Sequence, residues 1–89
     1  MSSAAVAESP IRRIDTSAVR AALAPIPGIE RVVLTADSHG DETIWVVRGD
    51  HDIDRDRRIV EAMVDVDIAD YHLVPARSAG MVPEGRAIL

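Results

Sequence analysis

The fold of this chain is decided by residues 29–48, IERVVLTA-DSHGDE-TIWVVR. Two runs rich in Val, Ile and Thr, residues 29–36 and 43–48, flank a polar segment that contains Gly40. Apolar and β-branched runs separated by such a segment are typical of a β-hairpin. The stretch therefore predicts two strands joined by a polar turn.

Helical periodicity lies on both sides of this hairpin. Apolar residues recur at helical spacing as Val19, Ala22, Leu23 and Ile26 before the hairpin and as Ile59, Ala62, Met63 and Val66 after it. The Pro-Ile-Pro-Gly segment at residues 25–28 ends the first helix, and an Asp, Thr or Ser at positions 15–17 can cap its start. We expect the second helix to begin near Asp54 and a third strand to cover residues 71–74.

This order of elements predicts one α+β domain. The apolar faces are buried together when the helices lie on one face of a single sheet. We expect a disordered N-terminus at residues 1–10, the α+β domain at residues 11–76 and an extended C-terminal tail at residues 77–89. The tail is expected either to pack on its own domain or to reach a neighbouring subunit.

Length and composition limit what this domain can be. The chain has 89 residues and no cysteine, which excludes disulfides, thiolate metal sites and a Cys nucleophile. A domain of this size is only marginally stable alone, so we expect it to associate with itself or with a larger protein. The first ten residues lack the features of a signal peptide, and no run approaches the ~20 apolar residues of a membrane helix. We expect a cytoplasmic protein that does not bind membranes.

The negative charge is concentrated in residues 50–70. They carry eight acidic and three basic side chains, so their net charge equals the −5 of the whole chain. A surface that binds nucleic acid needs the opposite field, because Lys and Arg must displace the counterions of the phosphates. We therefore exclude nucleic acid as a partner. The acidic region indicates a solvated rim, and the alternative is contact with a cationic protein surface.

The same region contains the spacing of a calcium loop. Positions 1, 3, 5, 7 and 12 of that register are Asp50, Asp52, Asp54, Asp56 and Glu61. Position 6, which needs Gly for a sharp turn, is Arg55, and position 8 is Arg57. Two cations in a loop that must gather anionic oxygens oppose Ca²⁺ binding. We predict no metal site and no cofactor, and we expect Asp54 and Asp56 to stabilise the positive end of the helix dipole.

Histidines are the candidates for acid–base chemistry. His39 lies in the turn, His51 follows the second strand and His72 lies on the third. A strand of about seven residues separates His39 from His51 by roughly 20 Å, so they cannot share a metal within one chain. The sequence offers only Asp37 and Asp41, beside His39, as groups that could orient an imidazole. A single strand histidine is more often a hydrogen-bonded structural residue.

Four short motifs follow the order of the elements. They are VRAAL at 19–23, PGIERVV at 27–33, VVRGD at 46–50 and IVEA at 59–62. Together they resemble the heavy-metal-associated, ferredoxin-like domain. The resemblance implies a βαββαβ sandwich, with a first strand at residues 11–14 and an antiparallel sheet that carries two helices on one face. Residues 13–18, RIDTSA, lack the Cys-x-x-Cys of that family, so metal carriage is not implied. Without the first strand the order is αββαβ.

Both faces of the predicted sheet are apolar. In the second hairpin strand Ile44 and Val46 point one way and Trp45 and Val47 the other. We expect the aliphatic pair to face the helices and Trp45 to lie on the outer face. An open apolar sheet face is typical of a contact surface. The predicted interface residues are Trp45, Val47, Val33 and Val74.

The sequence therefore predicts a small non-catalytic interaction or regulatory module. It would act as a homodimer or as an accessory subunit of a larger complex. The alternative is a small dimeric enzyme of the ferredoxin-like-barrel type, with His72 or His39 as the acid or base. A small-molecule ligand is compatible with either function.

Overall fold

The hairpin forms the centre of the observed sheet. The computed structural model describes residues 14–49 and 52–89. Strand β1 covers Ile29–Ala36 and strand β2 covers Glu42–Arg48. The two strands pair antiparallel, with Val33 opposite Trp45. The predicted hairpin is confirmed to within one residue at its ends.

Helix α1 covers Thr16–Leu23 and precedes the hairpin. Among the three possible capping residues, Asp15 is the one used: its carboxylate accepts hydrogen bonds from two backbone N–H groups of the first turn, at 3.1 and 3.2 Å. The helix ends before Pro25, and Gly28, with a φ of +87°, turns the chain into β1. A helix of eight residues has little stability alone, so α1 depends on its packing against the sheet.

Helix α2 covers Ile53–Asp65 and connects β2 to strand β3, Tyr71–Pro75. Its N-cap is Asp52, whose carboxylate accepts a hydrogen bond from a first-turn N–H at 3.1 Å. The helix therefore begins one residue before the predicted start at Asp54. As expected, Asp54 and Asp56 lie in the first turn, where negative charge is favourable.

The sheet is mixed and has four strands in the order β3-β2-β1-β4, where β4 is Arg86–Ala87. Strand β1 is antiparallel to β2 and β4, whereas β2 is parallel to β3. The expected all-antiparallel sheet is therefore wrong. Helix α2 returns the chain directly beside β2, and a strand reached through a helical crossover runs parallel to the strand that precedes the helix.

This strand order also differs from the ferredoxin-like one. In a ferredoxin-like split βαβ unit, another strand lies between the two parallel strands, whereas β2 and β3 here bond directly to each other. The strand predicted at residues 11–14 lies outside the described residues except for Ile14, which precedes α1. The small α+β fold with two helices is confirmed, but the strand order β3-β2-β1-β4 is not the ferredoxin-like one.

Helices α1 and α2 share one core with one face of the sheet. The buried members of this core are Val19, Leu23, Ile26, Val32, Leu34, Ile44, Val46, Ile59, Ala62, Met63 and Ile88. Ile44 and Val46 belong to this core and Trp45 does not. The structure thus confirms which strand residues face the helices.

The C-terminal segment covers the opposite face of the same sheet. Instead of an extended tail, Ala76–Met81 forms a 3₁₀ helix that contacts β2 and β3. Gly85 then lies against the side chains of Val33 and Thr35, which belong to the outer face of β1. The chain therefore crosses the outer face from one edge strand to the other. Beyond β4, Ile88 enters the helix-side core.

Candidate interaction surfaces

Trp45 and His72 form a stacked pair on the outer face of the sheet. The parallel register places them side by side on β2 and β3, and their ring centroids are 4.3 Å apart with an interplanar angle of 26°. The indole N–H of Trp45 donates a hydrogen bond to Thr35 Oγ1 at 2.9 Å. Trp45 is half-buried, and His72 is exposed. This pair is the part of the predicted outer-face surface that solvent reaches.

The other predicted interface residues are buried within the chain itself. Val33, Val47 and Val74 are 0%, 2% and 8% exposed. The C-terminal segment packs over this face, which is one of the two arrangements expected for the tail. The face is therefore not open for the partner sheet that the sequence favoured. A partner could contact these three valines only if that segment moved away. The outer face therefore offers a partner much less apolar surface than its sequence indicated.

Neither described histidine, His72 or His39, has a ring nitrogen bonded to an acidic side chain of the described residues. Asp37, expected to orient His39, instead accepts hydrogen bonds from the backbone N–H groups of His39 and Asp41, at 2.8 and 3.0 Å. Its carboxylate therefore closes the hairpin turn. The third histidine, His51, lies outside the described residues.

Acidic residues at the start of α2 have partners within the protein. Asp52 caps the helix, and the carboxylate of Asp56 lies 2.6 Å from Nε of Arg48 at the end of β2. Nε of Arg55 is 3.8 Å from the same carboxylate oxygen. Asp50 lies outside the described residues. Within the described ranges no three His, Asp or Glu side chains are grouped to hold a metal ion.

Helix α2 exposes three apolar side chains that were not predicted to form a surface. Ile53, Val60 and Val64 are 65%, 39% and 68% exposed. Val60 and Val64 follow Ile53 by seven and eleven residues, about two and three helical turns, so the three side chains line one side of the helix. We refer to these three residues as the α2 stripe.

The sequence contained the signal for this surface. Ile59, Ala62 and Met63, the buried residues of α2, form one apolar series, and the α2 stripe forms a second series at an angle to it. An amphipathic helix needs only one apolar series to bind the core. The second series is therefore available to another surface.

A basic and an acidic residue border the α2 stripe. Arg57 lies one turn after Ile53, and Glu61 lies one turn after Arg57, and both side chains are exposed. This border therefore carries charges of both signs. An apolar stripe with a polar, charged rim is the usual composition of a protein contact surface.

Comparison with protein-family models, with curated proteins and with solved structures finds no match for this chain. No helix in the described part of the chain is long and apolar enough to span a membrane. The function is therefore inferred from the chemistry of the two surfaces, the Trp45–His72 pair and the α2 stripe.

Proposed function

We propose that this chain is a non-catalytic protein-interaction module, acting as a homodimer or as an accessory subunit, and that helix α2 carries its contact surface. The observation that supports this proposal is the exposure of Ile53 and Val64, each more than three-fifths accessible, on a helix whose core-facing residues are already buried. Aligned apolar side chains of this kind favour association because contact with a partner removes them from water.

The size of the domain supports the same proposal. The described core contains eleven buried apolar residues and no disulfide, and small domains of this kind gain stability when a partner covers further apolar surface. The alternative, an enzyme with a histidine acid or base, has less support. His72 is exposed, its ring stacks on Trp45, and no described acid orients it.

Affinity purification from the native host tests the proposal. We expect the tagged chain to retain a specific protein, either itself or another, and the variants Ile53→Gln and Val64→Gln to retain at least about tenfold less, because each removes an apolar contact. Met81→Gln is the matched control, since Met81 is 78% exposed but lies outside α2. Titration with the purified partner then gives the affinity directly.

The proposal fails if the two stripe variants and the Met81 control retain the same proteins in the same amounts. Far-ultraviolet circular dichroism and urea unfolding establish that each variant is folded. A histidine-dependent activity, lost in His72→Ala and kept in the stripe variants, would instead support the enzyme.

A further inference from the structure

The α2 stripe and its charged border are complementary to a second copy of themselves. Consider two α2 helices packed antiparallel, related by a twofold axis midway between Arg57 and Glu61. Arg57 of each copy then lies opposite Glu61 of the other, because both residues are equally far from the axis. Ile53 lies opposite Val64 of the second copy to within one residue. Val60 lies next to the axis and meets Val60 of the second copy.

The charge pattern favours this direction over the reverse. In a parallel pair, identical residues lie at equal height, so Arg57 of one helix is one turn away from Glu61 of the other. The antiparallel pair joins opposite charges on both sides of the twofold axis, near the middle of the contact. Charge complementarity of this kind selects the partner and its orientation.

We infer that helix α2 pairs with α2 of a second copy of this chain, antiparallel across a twofold axis, with Arg57 of each copy against Glu61 of the other. This inference rests on the proposed interaction function and names its partner. The exposed stripe supplies the apolar centre, and the Arg57–Glu61 contacts supply the rim. The interface uses the opposite side of the molecule from the Trp45–His72 pair.

The contact is small, so the dimer is expected to be weak. A helix of thirteen residues is about 20 Å long. One helix pair of this length buries less than the roughly 1,200–2,000 Å² of a standard stable interface. Association should therefore become measurable between about 10 μM and 1 mM, which corresponds to roughly 4–7 kcal/mol of binding free energy.

Sedimentation equilibrium with charge-reversed variants tests the pairing. We expect Arg57→Glu and Glu61→Arg, each alone, to weaken self-association by about tenfold, because each places like charges opposite each other on both sides of the twofold axis. An equimolar mixture of the two variants should regain association, since both contacts in the mixed dimer join opposite charges. Arg58→Glu, the same charge change at another exposed position of α2, should leave association unchanged.

Cysteine cross-linking tests the antiparallel register. The chain has no native cysteine, so an introduced thiol reports only its own neighbours. A disulfide requires Cα atoms within about 7 Å. Val60→Cys chains should therefore oxidise to covalent dimers, whereas Val64→Cys chains alone should stay monomeric on oxidation. A mixture of Ile53→Cys and Val64→Cys chains should again form covalent dimers.

Three results would overturn this inference. They are a wild-type chain that stays monomeric across the whole concentration range, a mixture of charge-reversed variants that associates no better than either alone, and efficient self-cross-linking of Val64→Cys. The proposed function fails separately. If the chain is monomeric but still retains another protein through the α2 stripe, the interaction module stands and the partner is not a second copy.

Discussion

Arg48 is the one charged residue that the described fold buries, with 8% of its surface exposed. Its guanidinium lies at the end of β2 and meets Asp56 in the first turn of α2 at 2.6 Å. The pair therefore ties the strand to the helix that follows it. Removing one member of a buried ion pair is costly, because the charge that remains has lost both water and its partner.

Asp56→Asn should lower the free energy of unfolding by about 2 kcal/mol, since Arg48 then keeps a buried charge without a carboxylate. Asp54→Asn is the matched control: Asp54 lies in the same first turn but is exposed, so we expect a change below about 0.5 kcal/mol. Urea unfolding measures both. Equal effects in the two variants would mean that Asp56 acts only through the helix dipole.

At the scale of elements, the C-terminal segment has the largest influence on what the sheet can bind. It crosses the outer face as a 3₁₀ helix and then adds β4 beside β1. The segment can approach β1 this closely because residue 85 is Gly. A Cβ at this position would lie 2.8 Å from Thr35 Cγ2 and 2.9 Å from Val33 Cγ1, and it would also contact the carbonyl oxygen of Leu34. Because backbone cannot yield as a flexible side chain does, a larger residue at this position must lift the segment from the sheet.

Gly85→Ala should therefore destabilise the protein by about 2 kcal/mol. Gly80→Ala is the control, because a Cβ at Gly80 meets no atom within 4 Å, and we expect it to change stability by less than about 0.5 kcal/mol. Thermal unfolding compares the two variants, and trypsin cleavage at the exposed Arg77 and Arg86 should be faster in Gly85→Ala. A Gly85→Ala protein as stable and as resistant as Gly80→Ala would show that the segment does not hold this close contact.

At the scale of the whole molecule, the protein has two candidate contact surfaces on opposite sides of the sheet. On one side, the outer sheet face is mostly covered by the chain itself, and Trp45 and His72 remain accessible. On the other side, α2 exposes its stripe to solvent. The sequence placed the interface on the first side, and our inference places it on the second.

Trp45→Ala tests which of these two surfaces is the interface. We expect it to cost about 2 kcal/mol of folding stability, because it removes a half-buried indole, its stack on His72 and its bond to Thr35. Self-association of the folded variant should be unchanged. Urea unfolding and sedimentation on the same sample measure both quantities, with Val64→Gln as the reverse case, stable but less associated. A folded Trp45→Ala protein that no longer associates would place the interface on the outer face after all.

Local patterns were enough to predict the separate elements. The hairpin, the two helices and the third strand follow from β-branched runs, helical spacing and Pro-Gly breaks, all of which act over a few residues. The cap at Asp15 and the burial of Ile59 and Met63 follow in the same way. The placement of Trp45 on the outer face followed from the better match of aliphatic side chains to the helices.

Only the tertiary structure decided how these elements are arranged. Whether β3 lies directly beside β2 depends on where the helical crossover returns the chain, which no local pattern records. Val33 is covered by the segment around Gly85, some fifty positions later in the chain, and no local pattern predicts a contact between residues so far apart. In α2, helical spacing placed Ile59 and Met63 on the core side. The sequence did not determine whether Ile53 and Val64 would be covered by another part of the chain, because that depends on where distant elements pack, and only the tertiary structure leaves them exposed.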